Sequence, residues 1–270
     1  MMTPLDPFVS GVGRIVEYLG RFFNVGSLKE HVVELEGGCS LQIPAGLPYG
    51  RRLLNGNYEP EVTELIRATL RSGMGVVDAG ANVGYYTLIA SRLIGELGSV
   101  YAFEPDSVAY RYLEGNVSRN QLTNVLAVRC AVADQSGVLP FTSPILDRGA
   151  LASTSSRTLP TQIVEVTRLD DFFANRAWPR VDVVKLDVEG AEWAALVGMT
   201  ELSARNPGLK LIMEFNSATM QVAGKTPADI RDALIKLGFR QGQFLQNQLT
   251  VSLAQPLPRT DLVCDVLVTK

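Results

Sequence analysis

Residues that carry protons near neutral pH or bind soft metals are scarce in this chain. It has one histidine, His31, and three cysteines, Cys39, Cys130 and Cys264. A Ser-His-Asp hydrolase would have to be built on His31, which opens a predicted strand, and no G-x-S-x-G elbow is present. A surface or capping role suits that histidine better. The cysteines are odd in number, scattered and set in apolar stretches, without zinc or disulfide spacing. That is the pattern of buried, reduced thiols in a cytoplasmic protein. Basic residues do not exceed acidic ones: 25 stand against 28, for a net charge of −3. A phosphate-tracking face is therefore not expected, and nucleic acid is not an expected partner. No uncharged apolar run reaches the roughly 18–20 residues needed for a membrane span. The opening "MMTPLDPFVSGVG" lacks the basic start and apolar core of a signal peptide. Without other signs of secretion, the sequon at Asn116 reads as a chance match. There is no internal repeat and no P-loop.

What the chain does have is apolar content, 46% of 270 residues, enough for one large domain with an appendage. Phe8, Val12, Ile15, Val16, Leu19, Phe22 and Phe23 predict an amphipathic helix over residues 5–23. "HVVELE" and "CSLQI" flank Gly37-Gly38 as a hairpin. Residues 1–57 are thus read as an N-terminal extension that covers substrate or mediates dimerisation, and 58–270 as the main domain. Asn55-Gly56 predicts a turn, and Pro60 a helix start. From Gly75 strands and helices alternate. "MGVVDAG", "SVYAFEP", "NVLAVRCAVAD", "VDVVKLD" and "LKLIMEF" are the strands; helices follow near Val83, at "SVAYRYLEGNVSRN", at "GAEWAALVGM" and at "TPADIRDALIKLG" with Thr226 as cap. Such βα repetition predicts an α/β fold with a doubly wound, mostly parallel sheet and ligands at the strand carboxyl ends. "FRQGQFL", "QLTVSL" and "DLVCDVLVT" close the chain, which suits an antiparallel pair at one edge. Residues 137–168 read as an insertion, strand-like at both ends and lid-like in the middle.

The first strand ends in Asp78, followed by Gly80-Ala81-Asn82-Val83-Gly84. A glycine loop between a parallel strand and a helix binds a nucleotide-like ligand. A nicotinamide dinucleotide fits poorly, because the central glycine of G-x-G-x-x-G is missing and Asp78 would repel a pyrophosphate. S-adenosylmethionine fits better, with an ammonium and a sulfonium and no phosphate. Glu104, 20 residues after Gly84, ends the second strand where an acid accepts ribose hydroxyls. Asp134, after the third, is placed for the adenine amino group.

"VVDAGANVGYYTL", "AFEPD", "VDVVKLDVEGAE" and the upstream "GNYEPE" resemble the FkbM-type family of S-adenosylmethionine-dependent methyltransferases over roughly residues 55–220. The resemblance implies a seven-stranded, Rossmann-like class I methyltransferase sheet and O-methylation of a sugar or polyketide-like natural product. It places Asp78, Gly80, Asn82 and Gly84 in the cofactor loop, Glu104 at the ribose, and Glu59 near the methionine end. No "NPPY"-like segment points to amino methylation of nucleic-acid bases. Methyl transfer is an in-line displacement, and an oxygen nucleophile also sheds a proton, so a base or a metal helps. Asp187, Glu189 and Glu214 are the candidate acids. For Glu192, favourable placement at a helix start explains the residue without a catalytic role. Lys185 shares a strand face with Asp187 as an ion-pair partner or a snorkelling stem. Asp187, Glu214 and Asn216 loosely match an oxygen set for Mg²⁺, which leaves a magnesium cofactor open. A homodimer through the N-terminal region, a non-catalytic S-adenosylmethionine-binding module and an NAD(P)-dependent oxidoreductase are the other readings left open.

Overall fold

The computed structural model describes residues 30–35, 37–44, 49–56, 58–142, 161–257 and 263–270. The helix expected over 5–23 and the lid-like centre of the insertion lie outside them. The chain opens with the hairpin β1 (Glu30–Leu35) and β2 (Cys39–Pro44), turned at Gly37-Gly38 as expected. A short helix, α1 (Gly50–Leu54), precedes α2 (Pro60–Thr69), where Pro60 takes the first helical turn.

The main sheet alternates with helices from there. β3 (Gly75–Ala79), α3 (Tyr85–Ile94), β4 (Ser99–Phe103), α4 (Ser107–Arg119) and β5 (Val125–Val128) form its first half. Asp106 starts α4 by accepting the amides of Val108 and Ala109. The chain then leaves the main sheet. "NVLAVRCAVAD" is two strands and not one: β5 ends at Val128, and β6 (Ala131–Val132) pairs with β8 (Thr161–Thr167) of a separate three-stranded sheet with β7 (Gly137–Thr142). The amide of Cys130 turns back onto the Val128 carbonyl, which breaks the strand. After α5 (Leu169–Ala174) the chain returns through β9 (Val183–Leu186), α6 (Glu192–Val197), α7 (Thr200–Arg205), β10 (Lys210–Phe215), α8 (Ser217–Val222) and α9 (Pro227–Lys236). Thr226 and Asp229 cap α9 reciprocally, as the threonine–proline start suggests. The three closing segments are the strands β11 (Gln241–Phe244), β12 (Leu249–Ser252) and β13 (Cys264–Thr269), all antiparallel, with β13 lying between β10 and β11. β12 is one strand more than the seven expected, a hairpin partner added at the edge.

The sheet order is β12-β11-β13-β10-β9-β3-β4-β5. Strands β3, β4, β5, β9 and β10 run parallel, and the central β3 and β9 are buried along their whole length, on both faces. That double burial is why "VVDA" and "VVKL" read as continuous apolar runs. Val76, Val183 and Ile212 pack one face under α2 and α3. Val77, Val184, Leu211 and Met213 pack the other against α5 to α9. The chain moves outward from β3 to β5, then crosses to β9 on the other side of β3. The crevice beyond the carboxyl ends of β3 and β9 is thus a topological switch point, where such sheets bind ligands.

Cys39, Leu41 and Ile43 pack the hairpin onto Val83, Leu88 and Leu122, and main-chain atoms fix it further. Asn116 accepts the Gln42 amide at 2.7 Å and donates to the Gln42 and Val83 carbonyls at 2.9 and 2.8 Å. Asn120 exchanges the same pair of bonds with Ser40, both at 2.8 Å. The outer edge of β2 is satisfied in this way without another strand. Asn116, the sequon residue, is 1% exposed and committed to these bonds.

Candidate functional site

Three loops meet at the switch point. The first leaves β3 after Asp78. Gly80 has φ +81°, and a Cβ there would lie 1.8 Å from the Asp187 carbonyl oxygen. Only glycine permits this contact between the loop after β3 and the end of β9. The Gly80 and Ala81 amides donate to Phe103 O, at 3.0 and 2.9 Å, and bind the loop to the end of β4. Gly84 starts α3, where Leu113 of α4 fills the space that a side chain would need. Asn82 sits at φ +51°, with its side-chain oxygen accepting the Val83 amide and the Tyr49 hydroxyl. Glu59 and Glu189 also hold positive φ, +40° and +50°. Non-glycine strain of this kind gathers where function needs a fixed backbone.

Asp78 is 2% exposed. Its Oδ2 accepts the Thr87 hydroxyl at 2.6 Å, whereas Oδ1 has no hydrogen-bond partner among the described residues. Burial pushes this carboxyl up, and Lys185 and Thr87 pull the other way. Glu104 accepts one amide on each oxygen, from Asn82 and Asp106, both at 2.8 Å. Burial pushes it up to about 7. A carboxylate accepts about four bonds, so two acceptor positions remain. The unpartnered oxygen of Asp78, the spare positions on Glu104 and the glycine seat fit a ligand with hydroxyls and a cationic group. They therefore fit S-adenosylmethionine.

Beyond β9 lies a row of acids. Met213 and Leu186 are the last register partners of β10 and β9; Glu214 and Asp187 come next, and Glu214 pairs in turn with Asp265 of β13. Glu214 is half-buried, and its Oε2 has no hydrogen-bond partner among the described residues. Burial, followed by Asp187, Glu189 and Glu192, pushes its carboxyl up to about 8. Burial, followed by Glu59, pushes Asp265 up to about 6. Glu189 is exposed in the loop after β9. Glu192 turns back, its Oε1 accepting the Val188 and Gly190 amides at 3.3 and 3.1 Å, which agrees with a role in holding the loop. Glu59 accepts the Tyr86 hydroxyl at 2.7 Å, inside a cluster of rings formed by Tyr49, Tyr58, Tyr85 and Tyr86.

Asp134 is exposed and follows β6, so the strand it ends is not one of the main sheet; the residues that follow β5 there are Arg129-Cys130. The magnesium set does not assemble. The Asn216 side-chain oxygen caps α8 by accepting the Ala218 and Thr219 amides, and among the described residues no group of three or more His, Cys, Asp or Glu is arranged to hold a metal ion. Two residues escaped the sequence reading. Asp265 lies in the alternating "VCDVLVT", where its position on the sheet face depends on register with β10. Tyr49 reaches Asn82 from the N-terminal extension, where no sequence motif marks it.

Among the described residues no helix is long and apolar enough to cross a membrane. The methyltransferase FkbM domain family matches residues 78–241. Methyltransferase sdnD of Sordaria araneosa is 30% identical over 165 residues, covering 50% of this chain and 63% of that protein. The hexuronic acid methyltransferase AglP of Haloferax volcanii is 29% identical over 143 residues, covering 53% and 56%. The 31-O-demethyl-FK506 methyltransferase FkbM of Streptomyces tacrolimicus is 29% identical over 162 residues, covering 49% and 62%. The alignments thus span about 60% of the length of these curated relatives. Among solved structures, Aeropyrum pernix fibrillarin aligns over 90% of this chain and 98% of its own, at 14% identity and a TM-score of 0.46. With the family match running through more than half of its residues, the chain belongs to the methyltransferase FkbM domain family.

Proposed function

We propose that this protein is an S-adenosylmethionine-dependent O-methyltransferase acting on a hydroxyl of a small metabolite such as a sugar or a polyketide-like product. The observation that carries the reading is the switch-point crevice itself. Acids with unused acceptor capacity, Asp78 and Glu104, line one side, and the row Asp187, Glu214 and Asp265 lines the other. The relatives support the acceptor class, since one is named for an O-demethyl substrate and another for hexuronic acid.

S-adenosylmethionine would supply a methyl group on a sulfonium leaving group. The protein's part is to bind, align and move a proton. Gly80, Asn82 and Gly84 shape the seat, Glu104 accepts from ribose hydroxyls, and Asp78 faces the cationic end, with Glu59 behind it. Asp134 remains the candidate for the adenine amino group. On the acceptor side Asp187 orients the hydroxyl. Glu214 is the better placed of the two remaining acids to take the proton, since burial among like charges gives it the basicity a general base needs near neutral pH. Glu189, exposed in the loop above, is the alternative base. The hairpin and the 137–168 insertion would cover the acceptor.

The test is transfer of a labelled methyl group from S-adenosylmethionine to a panel of glycosides, polyketides and cell extracts, with and without chelator. Label should appear in an acceptor hydroxyl in both conditions, and Glu214→Gln should slow it by about 10²–10⁴. Heat from S-adenosylhomocysteine without transfer to any acceptor would favour a binding module. An absence of both would refute the proposal.

A further inference from the structure

Lys185 has no direct task in the mechanism above, yet it sits at its centre. It is 6% exposed within β9, where a hydrocarbon side chain would pack at less cost. A small cavity beside it is lined by Ile66, Leu70, Val76, Val183 and Ile212, with Asp78 and Tyr86. A charge in such surroundings must answer to charged partners, and they come from every element around it. Asp78 on β3 is its register neighbour, so the two side chains leave the same sheet face. Asp187, two residues on, accepts its hydrogen bond at 3.0 Å. The ring of Tyr86 on α3 lies 4.7 Å from Nζ. Glu59 at the start of α2 and Asp265 on β13 also feel its charge. Burial alone would lower the Lys185 ammonium; Asp187, Asp78 and Glu59 together hold it above its ordinary value.

We infer that Lys185 is a positioning residue that couples the two halves of the site, its one positive charge shared between Asp78 on the cofactor side and Asp187 on the acceptor side. The inference rests on the function proposed above. A cation brought next to Asp78 leaves Lys185 to Asp187 alone, which fixes the Asp187 carboxylate before an acceptor arrives. Cofactor-first binding follows from this arrangement.

The experiment is calorimetric titration of Lys185→Met and Lys185→Arg with S-adenosylhomocysteine, from about pH 6 to 9, in buffers of different ionisation heat, beside thermal unfolding. In Lys185→Met, Asp78 loses the cation that opposes its burial and takes up a proton that binding must displace. Affinity at pH 7 should then weaken about tenfold for each unit that the Asp78 pKa rises above that pH. It should recover in alkali, and the extra proton should be released at the lower pH values, where Asp78 is protonated before binding. Lys185→Arg should restore most of the affinity without the extra proton. Wild-type affinity and proton count in Lys185→Met at every pH would overturn the inference, even if the variant melted lower, because a packing role alone predicts that result. Should Lys185→Met fail to fold, Asp187→Asn provides a test of opposite sign. Removing that negative charge should tighten binding in acid and reduce proton release; unchanged binding would count against the coupling. A wild-type protein that gives no heat would instead refute the parent reading, and this one with it.

Discussion

Glu104 offers the sharpest test of the cofactor site. In the free protein burial pushes its carboxyl up to about 7, while the Asn82 and Asp106 amides pull it down. Ribose hydroxyls would donate to the ionised form, so a protonated Glu104 must lose its proton before binding. At pH 8 about nine-tenths of the molecules are ready, and at pH 6 about one-tenth. Affinity for S-adenosylhomocysteine should therefore fall roughly tenfold between those values, about 1.4 kcal/mol. Near pH 7, binding should release about half a proton, readable by calorimetry in two buffers. Glu104→Gln keeps the shape and cannot ionise. It should bind about 100-fold more weakly at pH 8, the loss of two charge-assisted hydrogen bonds at about 1.5 kcal/mol each, and its affinity should be nearly flat with pH. A wild-type profile that is flat from pH 6 to 8, or a Glu104→Gln profile with the wild-type slope, would refute the assignment. The same shift affects the empty protein in a determined direction. A carboxyl raised in the fold stabilises fully below its unfolded value, and that contribution is lost as pH rises through the folded one. Raised from 4.5 to about 7, Glu104 accounts for ~3 kcal/mol that should disappear across that window in unfolding titrations.

Gly80→Ala should cost about 2–5 kcal/mol, from left-handed backbone plus collision with the Asp187 carbonyl, while Gly56→Ala, where the added carbon meets open space, should cost only the backbone share. Equal losses in denaturant unfolding would remove the close contact from the account. Asn116→Ala strands the Gln42 amide and two carbonyls, and should lower stability by about 3 kcal/mol with faster hydrogen exchange in the hairpin and in the Val83 loop together. Exchange that rises in the hairpin alone would show that the two are not joined.

The cofactor half was more legible in the sequence than the acceptor half, and the reason is geometric. Asp78, Gly80, Asn82, Gly84 and Glu104 lie within 27 residues and follow consecutive parallel strands, so local pattern places them. The Thr226–Pro227 start and the Gly37-Gly38 turn are likewise local chemistry. Asp265 is brought to Glu214 by antiparallel register across 50 intervening residues, which no local pattern encodes. The same holds for Tyr49 and Asn82, joined across 32 residues of helix and strand. The error at "NVLAVRCAVAD" has another origin. β-favouring residues continue through Arg129, and the departure of the chain is set by pairing of Ala131 and Val132 with β8, about 35 residues downstream. "QLTVSL" reads as a strand and is one, β12; that it adds an eighth strand to the sheet is set by pairing with β11 and not by any buried-face pattern of its own.

Asn116 and Asn120 grip β2 by its peptide groups, not by its side chains. That part of the attachment is therefore blind to the solvent-facing amino acids of the hairpin, provided Cys39, Leu41 and Ile43 keep their buried packing and the strand geometry holds. Selection can rewrite the solvent-facing letters of that ribbon, and with them what it presents to a visiting molecule, while the mooring stays unchanged. An engineer could exploit the same tolerance by exchanging hairpins between relatives and leaving the two asparagines in place.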